Sequence, residues 1–351
     1  MPLISQNEMQ YNTMHDGMES QLTQEFATMN SREIVFANLD HQQPSRIAFS
    51  FGGDRLNDFV GTGLSPSRIY QQKRWTEDCF EYYDDEWGNV WRRMIDGCAG
   101  GEVHHPAIKD WSALDTLRIP DWDAPYRYEE MRKSFAGVTD KFKLVGLPGW
   151  IFATSRYLRK MEIYFMDLIE YPEEIERLHA KVADVLEKVI LNVAAAGADG
   201  FIYCEDLGVQ DRTLLSPWMW RDMYAKHYRR LTGVAKDKGL RVFMHSCGYN
   251  WDLIDDLVDA GIDCFQFDQP ANYDMPALAA KFKKRKVALY SPTDIQKVLP
   301  TGDEIFIRAE SRRMVETFKG SLIVKSYGDL KGIGVKPEWD QWAYDEFLRY
   351  A

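Results

Sequence analysis

Three things are scarce in this chain of 351 residues. Cysteine is the first: Cys79, Cys98, Cys204, Cys247 and Cys264 are the only five. They are too few and too scattered for a disulfide framework, so a reducing, cytoplasmic setting is expected. Basic charge is the second. Lys and Arg number 43 against 54 Asp and Glu, a net charge of −11, which argues against nonspecific binding to nucleic acid. Long apolar runs are the third: none approaches the roughly 18 residues of a membrane span. The opening MPLISQNEMQYNTMHDGMES also lacks the basic start and apolar core of a signal peptide. Neither a membrane nor nucleic acid is an expected partner. No GxGxxG follows any apolar run, which weakens a dinucleotide-binding sheet. There is no internal repeat, low-complexity tract or linker, so one domain over residues 1–351 is expected.

What is present has a regular order. From about residue 140, short apolar runs alternate with helical patterns. The strand candidates are 143–149, 200–204, 241–245, 263–267, 287–290 and 321–325, and the last five begin 41, 22, 24 and 34 residues apart. A strand and its return helix need a dozen or more residues, so these gaps suit βαβ units. In WDLIDDLVDAG, Leu253, Ile254, Leu257 and Val258 share one helical face and the aspartates point away. The run from Pro172 to Gly197 reads as a long helix. Upstream, residues 1–45 read as an N-terminal helical extension followed by a strand at 47–51. Residues 52–140 read as a partly irregular cap, with strands near 79–94. The expected fold is α/β: a (β/α)8 TIM barrel with N-terminal helical and irregular capping segments. An open doubly wound sheet is the competitor.

In such a barrel the active site lies at the C-terminal ends of the strands. There the sequence places Cys204-Glu205-Asp206, His245-Ser246-Cys247-Gly248, Gln266 with Asp268, Tyr290-Ser291, and Tyr327-Gly328-Asp329. His245 and Cys247 stand two residues apart and share one side of an extended chain. An imidazole beside a thiolate suits Zn²⁺, which also accepts carboxylate. The bland alternative is a hydrogen-bonded core histidine beside a buried thiol. Glu205 and Asp329 are the expected carboxylates to complete a metal site. Glu205 and Asp206 are candidate proton donors, and Cys264 reads as core. Gln266, Asp268, Tyr327 and Trp87 are expected substrate contacts. The aromatic residues of 75–91 read mostly as a packed cap, with a flat apolar pocket as the functional alternative. His104–His105 reads as an exposed loop, and the basic run at 281–286 as a solvated helix end.

Several blocks resemble one family. NSREIVFANLDHQQPSRIAF is similar to the opening helix, Pro turn and first strand of the uroporphyrinogen decarboxylase superfamily. DDEWGNVW, GADGFIYCEDLGVQDRTLLSPWMWRDMYAKHYRRL and HSCGYNWDLIDDLVDAGIDCFQFDQ resemble its later blocks, in the same order. The resemblance implies a TIM barrel. One branch of the superfamily decarboxylates porphyrinogen acetates and carries an arginine-rich motif after the first strand. Here that stretch is SFGGDRLNDF, with Asp54 and Arg55 but no arginine cluster. The other branch transfers methyl groups to or from corrinoid proteins and binds zinc through His-x-Cys and a later cysteine. His245 and Cys247 match, whereas the late stretch KSYGDLKG has no cysteine.

The resemblance therefore implies a zinc-dependent methyltransferase whose corrinoid (cobalamin) cofactor is supplied by a partner protein. The expected substrate is a small methoxylated compound, an aryl methyl ether in the first instance. The chain would then be the substrate-side component of an O-demethylase. Three rivals stand beside it: a decarboxylase using Arg55, Arg92, Arg93 or Arg156 to bind carboxylate, a thiol methyltransferase, and a non-catalytic tetrapyrrole-binding protein. The sequence leaves the oligomeric state open.

Overall fold

The structure, a computed structural model, describes residues 29–96 and 100–351. Residues 1–28 of the expected helical extension, and Cys98, lie outside the described residues.

The helix Ser31–Leu39 opens on a reciprocal cap. The Asn30 side chain accepts the Glu33 amide (3.0 Å) and the Glu33 carboxylate accepts the Asn30 amide (2.8 Å). Twelve strands follow: β1 Ala48–Ser50, β2 Phe59–Thr62, β3 Arg74–Glu77, β4 Phe80–Asp84, β5 Val90–Met94, β6 Glu102–His105, β7 Phe142–Gly146, β8 Gly200–Cys204, β9 Arg241–His245, β10 Cys264–Gln266, β11 Ala288–Ser291 and β12 Leu322–Lys325. Eight of them form one parallel sheet in the order β1-β12-β11-β10-β9-β8-β7-β2. This is a nearly closed (β/α)8 barrel. At the seam β1 and β2 share no ladder. The Asp58 amide donates to the Phe49 carbonyl (2.8 Å), and the buried Asp58 carboxylate takes both Arg46 Nη atoms (2.6 and 2.7 Å) and the Phe49 amide (2.7 Å). That charge-assisted network stands where ladder bonds would.

Two apolar layers separate inside from outside by the strand period of two. Phe59, Phe142, Phe243, Cys264, Ala288 and Ile323 fill the interior, together with Ile34, Val35 and Leu39 of the first helix. That helix plugs the end where the strands begin: Arg32 pairs with Asp199 and Asp40 with Arg241, each at the start of a strand. Val242, Met244, Phe265 and Leu289 point outward into the main core, against the helical layer. The expected long helix is Pro172–Ala195, with Ile175, Leu178, Val182, Leu186 and Val193 buried. Among the described residues no helix is long and apolar enough to cross a membrane.

Within residues 52–140, β4 and β5 fall where strands are expected, and irregular stretches flank them. The expectation does not include β2, which the segment contributes to the barrel, or the joining of the cap strands into one antiparallel sheet, β3-β4-β5-β6. His104 and His105 lie in β6, not in a loop, with rings 4.1 Å apart.

Candidate metal centre at the barrel mouth

The interior-facing period that buries Phe243 brings His245 to the barrel mouth two residues later. Chain register sets its neighbours: His245 stands opposite Cys204 of β8 and Gln266 of β10. Beyond His245 the chain turns sharply at Gly248, whose φ is +79°. A β-carbon there would lie 2.3 Å from the Gly208 backbone, so only glycine permits this close approach. The Gly248 amide donates to Gln269 Oε1 (2.9 Å), and the Tyr273 hydroxyl donates to the Gly248 carbonyl (2.9 Å). The loop carrying Cys247 is thus held on both sides.

Asp206, His245 and Cys247 meet here, with their ligand atoms all within 4.8 Å of one another. His245 Nε2 is 3.4 Å from Cys247 Sγ and 3.5 Å from Asp206 Oδ1. Asp206 Oδ1 also accepts the Cys247 amide (2.9 Å). Behind the imidazole, Nδ1 lies 2.5 Å from Gln266 Oε1. An amide oxygen only accepts, so this contact places a proton on Nδ1 and leaves Nε2 facing Cys247 and Asp206, where it holds a second proton or, in its place, a cation. Gln266 Nε2 in turn donates to Asp268 Oδ1 (2.5 Å), and Lys325 Nζ donates to the same oxygen (3.2 Å).

The electrostatics favour positive charge in this group. Burial alone would lower the His245 imidazolium pKa, but Asp206, Cys247 and Asp268 outweigh it and hold the value well above that of free histidine. Burial would likewise raise the Asp206 carboxyl. The hydrogen bond and charge of His245, the Cys247 amide and Arg156 outweigh that and hold it well below the usual carboxylate range. A divalent cation would meet the same demand as the proton on His245. The spacing fits as well: a tetrahedral zinc with bonds of about 2.0–2.3 Å sets its ligands roughly 3.3–3.6 Å apart, against 3.4 and 3.5 Å here. Three protein ligands also leave one position open, the pattern of catalytic zinc sites.

The other residues singled out in the sequence fall in different places. Glu205 and Asp329 are not members of this group. Glu205 is fully buried, and its Oε1 accepts the Phe152 and Ala153 amides (2.9 and 3.2 Å) at the start of the helix Ile151–Arg159. Burial pushes its carboxyl up to about 8, more than those amides, Tyr228 and Arg156 pull it down. Asp329 lies in a turn after β12, where its Oδ1 accepts the Gly332 amide (2.9 Å). Gln266 and Asp268 join the cluster as supports behind His245. Tyr327 stands beyond Lys325, whose Nζ is 5.9 Å from its ring. Trp87 lines a cavity of about 720 Å3 beneath the antiparallel sheet, by Gly146 and Gly149 at the end of β7. Cys264 is fully buried in the barrel interior, as expected. Cys79, Cys204, Cys247 and Cys264 are free thiols.

Three residues at the mouth had no place in the expected metal site. Lys325 ends the last strand, and Cys204 follows Ile202 on the inward side of β8; strand parity carries both signals. Arg156, weighed only as a carboxylate binder, lies with Nη2 3.7 Å from Asp206 Oδ2 and 3.2 Å from the Tyr157 hydroxyl.

The chain matches the family model described as "Uroporphyrinogen decarboxylase (URO-D)" over residues 94–328. Among solved structures it is similar to a methyltransferase from Methanosarcina mazei, with 15% identity, a TM-score of 0.56, and coverage of 75% of this chain and 77% of that one. It is also similar to a D-psicose 3-epimerase from Clostridium cellulolyticum H10, with 10% identity, a TM-score of 0.41, and coverage of 65% of this chain and 83% of that one. No curated protein matches the chain. The family match spans well over half of the chain, and this protein belongs to the uroporphyrinogen decarboxylase family.

Proposed function

We propose that this protein is a zinc-dependent methyltransferase, passing a methyl group from a methoxylated compound to the reduced cobalt of a separate corrinoid protein. The observation that carries the reading is the Asp206–His245–Cys247 group, at ligand spacing, at the C-terminal mouth of the barrel. Asp206 supplies the carboxylate for which Glu205 and Asp329 are the candidates in the sequence. Bound there, zinc supplies a Lewis acid for the charge that develops on the ether oxygen.

The chain's own residues orient and support this chemistry. Gln266, held by Asp268 and Lys325, fixes the His245 tautomer. In the transfer the carbon–oxygen bond would break with its electron pair passing to oxygen, and the partner's reduced cobalt would supply the pair for its bond to the methyl carbon. Arg156, nine-tenths buried beside Asp206 and with its Nε unpartnered, is placed to donate to the departing oxygen. Glu205, largely protonated near neutral pH, backs this wall of the mouth.

The decarboxylase reading draws on the family description and on Arg156. The other arginines weighed for it are paired elsewhere: Arg55 with Asp340, Arg92 with Glu102 and Arg93 with Glu81. The test is methyl transfer from aryl methyl ethers to cob(I)alamin, followed by the cobalt spectrum, with zinc-loaded protein. Methylcobalamin formation that needs His245 and Cys247 supports the reading. Carbon dioxide release from a porphyrinogen acid, without metal, would replace it.

A further inference from the structure

We infer that the cavity under the antiparallel sheet holds the ring of an uncharged aromatic methyl ether, and that Arg127 donates to a second oxygen on that ring. The inference rests on the methyl-transfer reading above and deepens it. A volume of about 720 Å3 lies in the range of small-molecule sites. Its walls include Trp87, Trp91, Trp122 and Tyr157. These rings are fixed: Trp87 meets Trp122 edge-on at 5.4 Å, Trp91 meets Tyr157 at 4.7 Å, and the Trp91 indole N–H donates to Asp85 (2.7 Å). Aromatic faces held against one another suit a flat ring, which gains by stacking or edge contact.

The polar groups of the cavity narrow the class. Asp85 is spent on the amides of Gly88 and Asn89 (2.9 Å each), on the Asn89 side chain (2.8 Å) and on Trp91. Glu86 gives both oxygens to Arg127 Nη2 (2.6 Å each). The oxygens of both carboxylates are already engaged, so neither is free to orient an ammonium ligand by hydrogen bonds. Arg127 is 1% exposed, yet its Nε and Nη1 have no hydrogen-bond partner. A buried donor without an acceptor is costly, and a ligand oxygen would satisfy it. Its positive charge already faces Glu86 and, at 3.9 Å, Asp121, so a ligand carboxylate would meet no spare charge. A carbonyl or hydroxyl oxygen fits.

One helix links the cavity wall to the metal group. Thr154 and Tyr157 of its wall flank Arg156 on one helix, and Arg156 bridges the Tyr157 hydroxyl and Asp206. A ring in the cavity can therefore present its methoxy group toward the mouth.

The test is titration of the full chain, by tryptophan fluorescence and calorimetry, with 3,4-dimethoxybenzaldehyde, 3,4-dimethoxybenzoate and tetramethylammonium. The aldehyde should bind about tenfold tighter than the benzoate and should still bind Cys247→Ala protein. Arg127→Lys, which keeps the charge but loses the spare donors, should erase that preference. Trp91→Ala should weaken aldehyde binding about tenfold. Thermal melts of both variants check folding. Benzoate or tetramethylammonium binding as tightly as the aldehyde, or indifference to both substitutions in folded protein, would overturn the inference. The aldehyde binding as described without methyl transfer from it would overturn the methyl-transfer reading and leave the pocket. Transfer from the aldehyde unaffected by both substitutions would do the reverse.

Discussion

Among the described residues two groups of side chains could hold a metal ion, Asp206–His245–Cys247 and Glu176–His179–His227, and they are built on opposite principles. The second lies in the helical layer and is satisfied from within. His179 Nε2 lies 2.7 Å from the Tyr164 hydroxyl and its Nδ1 3.3 Å from the Met223 carbonyl. His227 Nε2 pairs with Glu176 (3.2 Å), which also accepts Lys226 (2.8 Å). Both nitrogens of the buried histidine are thus occupied, and a lysine already neutralises the carboxylate. At the mouth, His245 has one nitrogen anchored by Gln266 and the other turned to a thiol and a carboxylate. The charge response follows. Acidic partners hold His245 above the usual value, whereas burial drives His179 down to about 3. Proximity of ligand types is not sufficient for a site; a ring nitrogen aimed at a thiol and a carboxylate, and a demand for positive charge there, distinguish the first group from the second.

This contrast can be broken by substitution. The largest expected effect is on methyl transfer: His245→Ala or Cys247→Ala should lower the rate about 100-fold or more, while His227→Ala should leave it close to wild type. Equal losses from both groups, in folded proteins, would erase the distinction. Next, Gln266→Leu removes the anchor and no proposed ligand. It should weaken zinc binding about 10- to 100-fold, read by competition with a chromophoric chelator. An unchanged affinity would mean that the anchor does not set the tautomer.

Smaller effects should come from the helical group, and on stability alone. His179→Phe removes one of the two hydrogen-bond partners of the Tyr164 hydroxyl, leaving Tyr224 (2.6 Å), and should cost about 1 kcal/mol in denaturant unfolding, with metal content unaltered. The pH dependence of stability sharpens the point. His179 is neutral in the fold between about 3 and its unfolded value of 6.5, facing Tyr164, Tyr224, His227 and Lys226. The unfolded chain binds the extra proton in that window. This contribution is complete above 6.5 and is lost as pH falls toward 3. The fall should be shallower in His179→Phe; an identical slope would contradict the burial argument.

The barrel was largely legible because strand parity and helix spacing are local signals. Seven of its eight strands could be located; β2 could not. Its four residues FVGT follow β1 with no return helix between them, and Gly61 interrupts the apolar run. The antiparallel cap was half visible, since β3 is exposed throughout and has no buried face to betray it. At the site, His245 and Cys247 were marked by spacing, and Gln266 and Asp268 by their strand ends. The choice between Glu205 and Asp206 was harder. Adjacent residues at a strand end project to opposite sides, and only the register of β8 against β9 shows that Glu205 turns to the helix Ile151–Arg159 while Asp206 turns to His245. The aromatic residues of the cavity were visible in the sequence, but its walls combine the cap with the end of β7 and the helix Ile151–Arg159, which no local pattern encodes.

The most direct test of the central claim is metal content by elemental analysis of the purified protein, beside His245→Ala/Cys247→Ala and His179→Ala/His227→Ala double variants. The account predicts about one zinc per chain in the wild type and the second variant, and none in the first. Wild-type protein that takes up no zinc when it is supplied, or zinc retained after loss of His245 and Cys247, would contradict it.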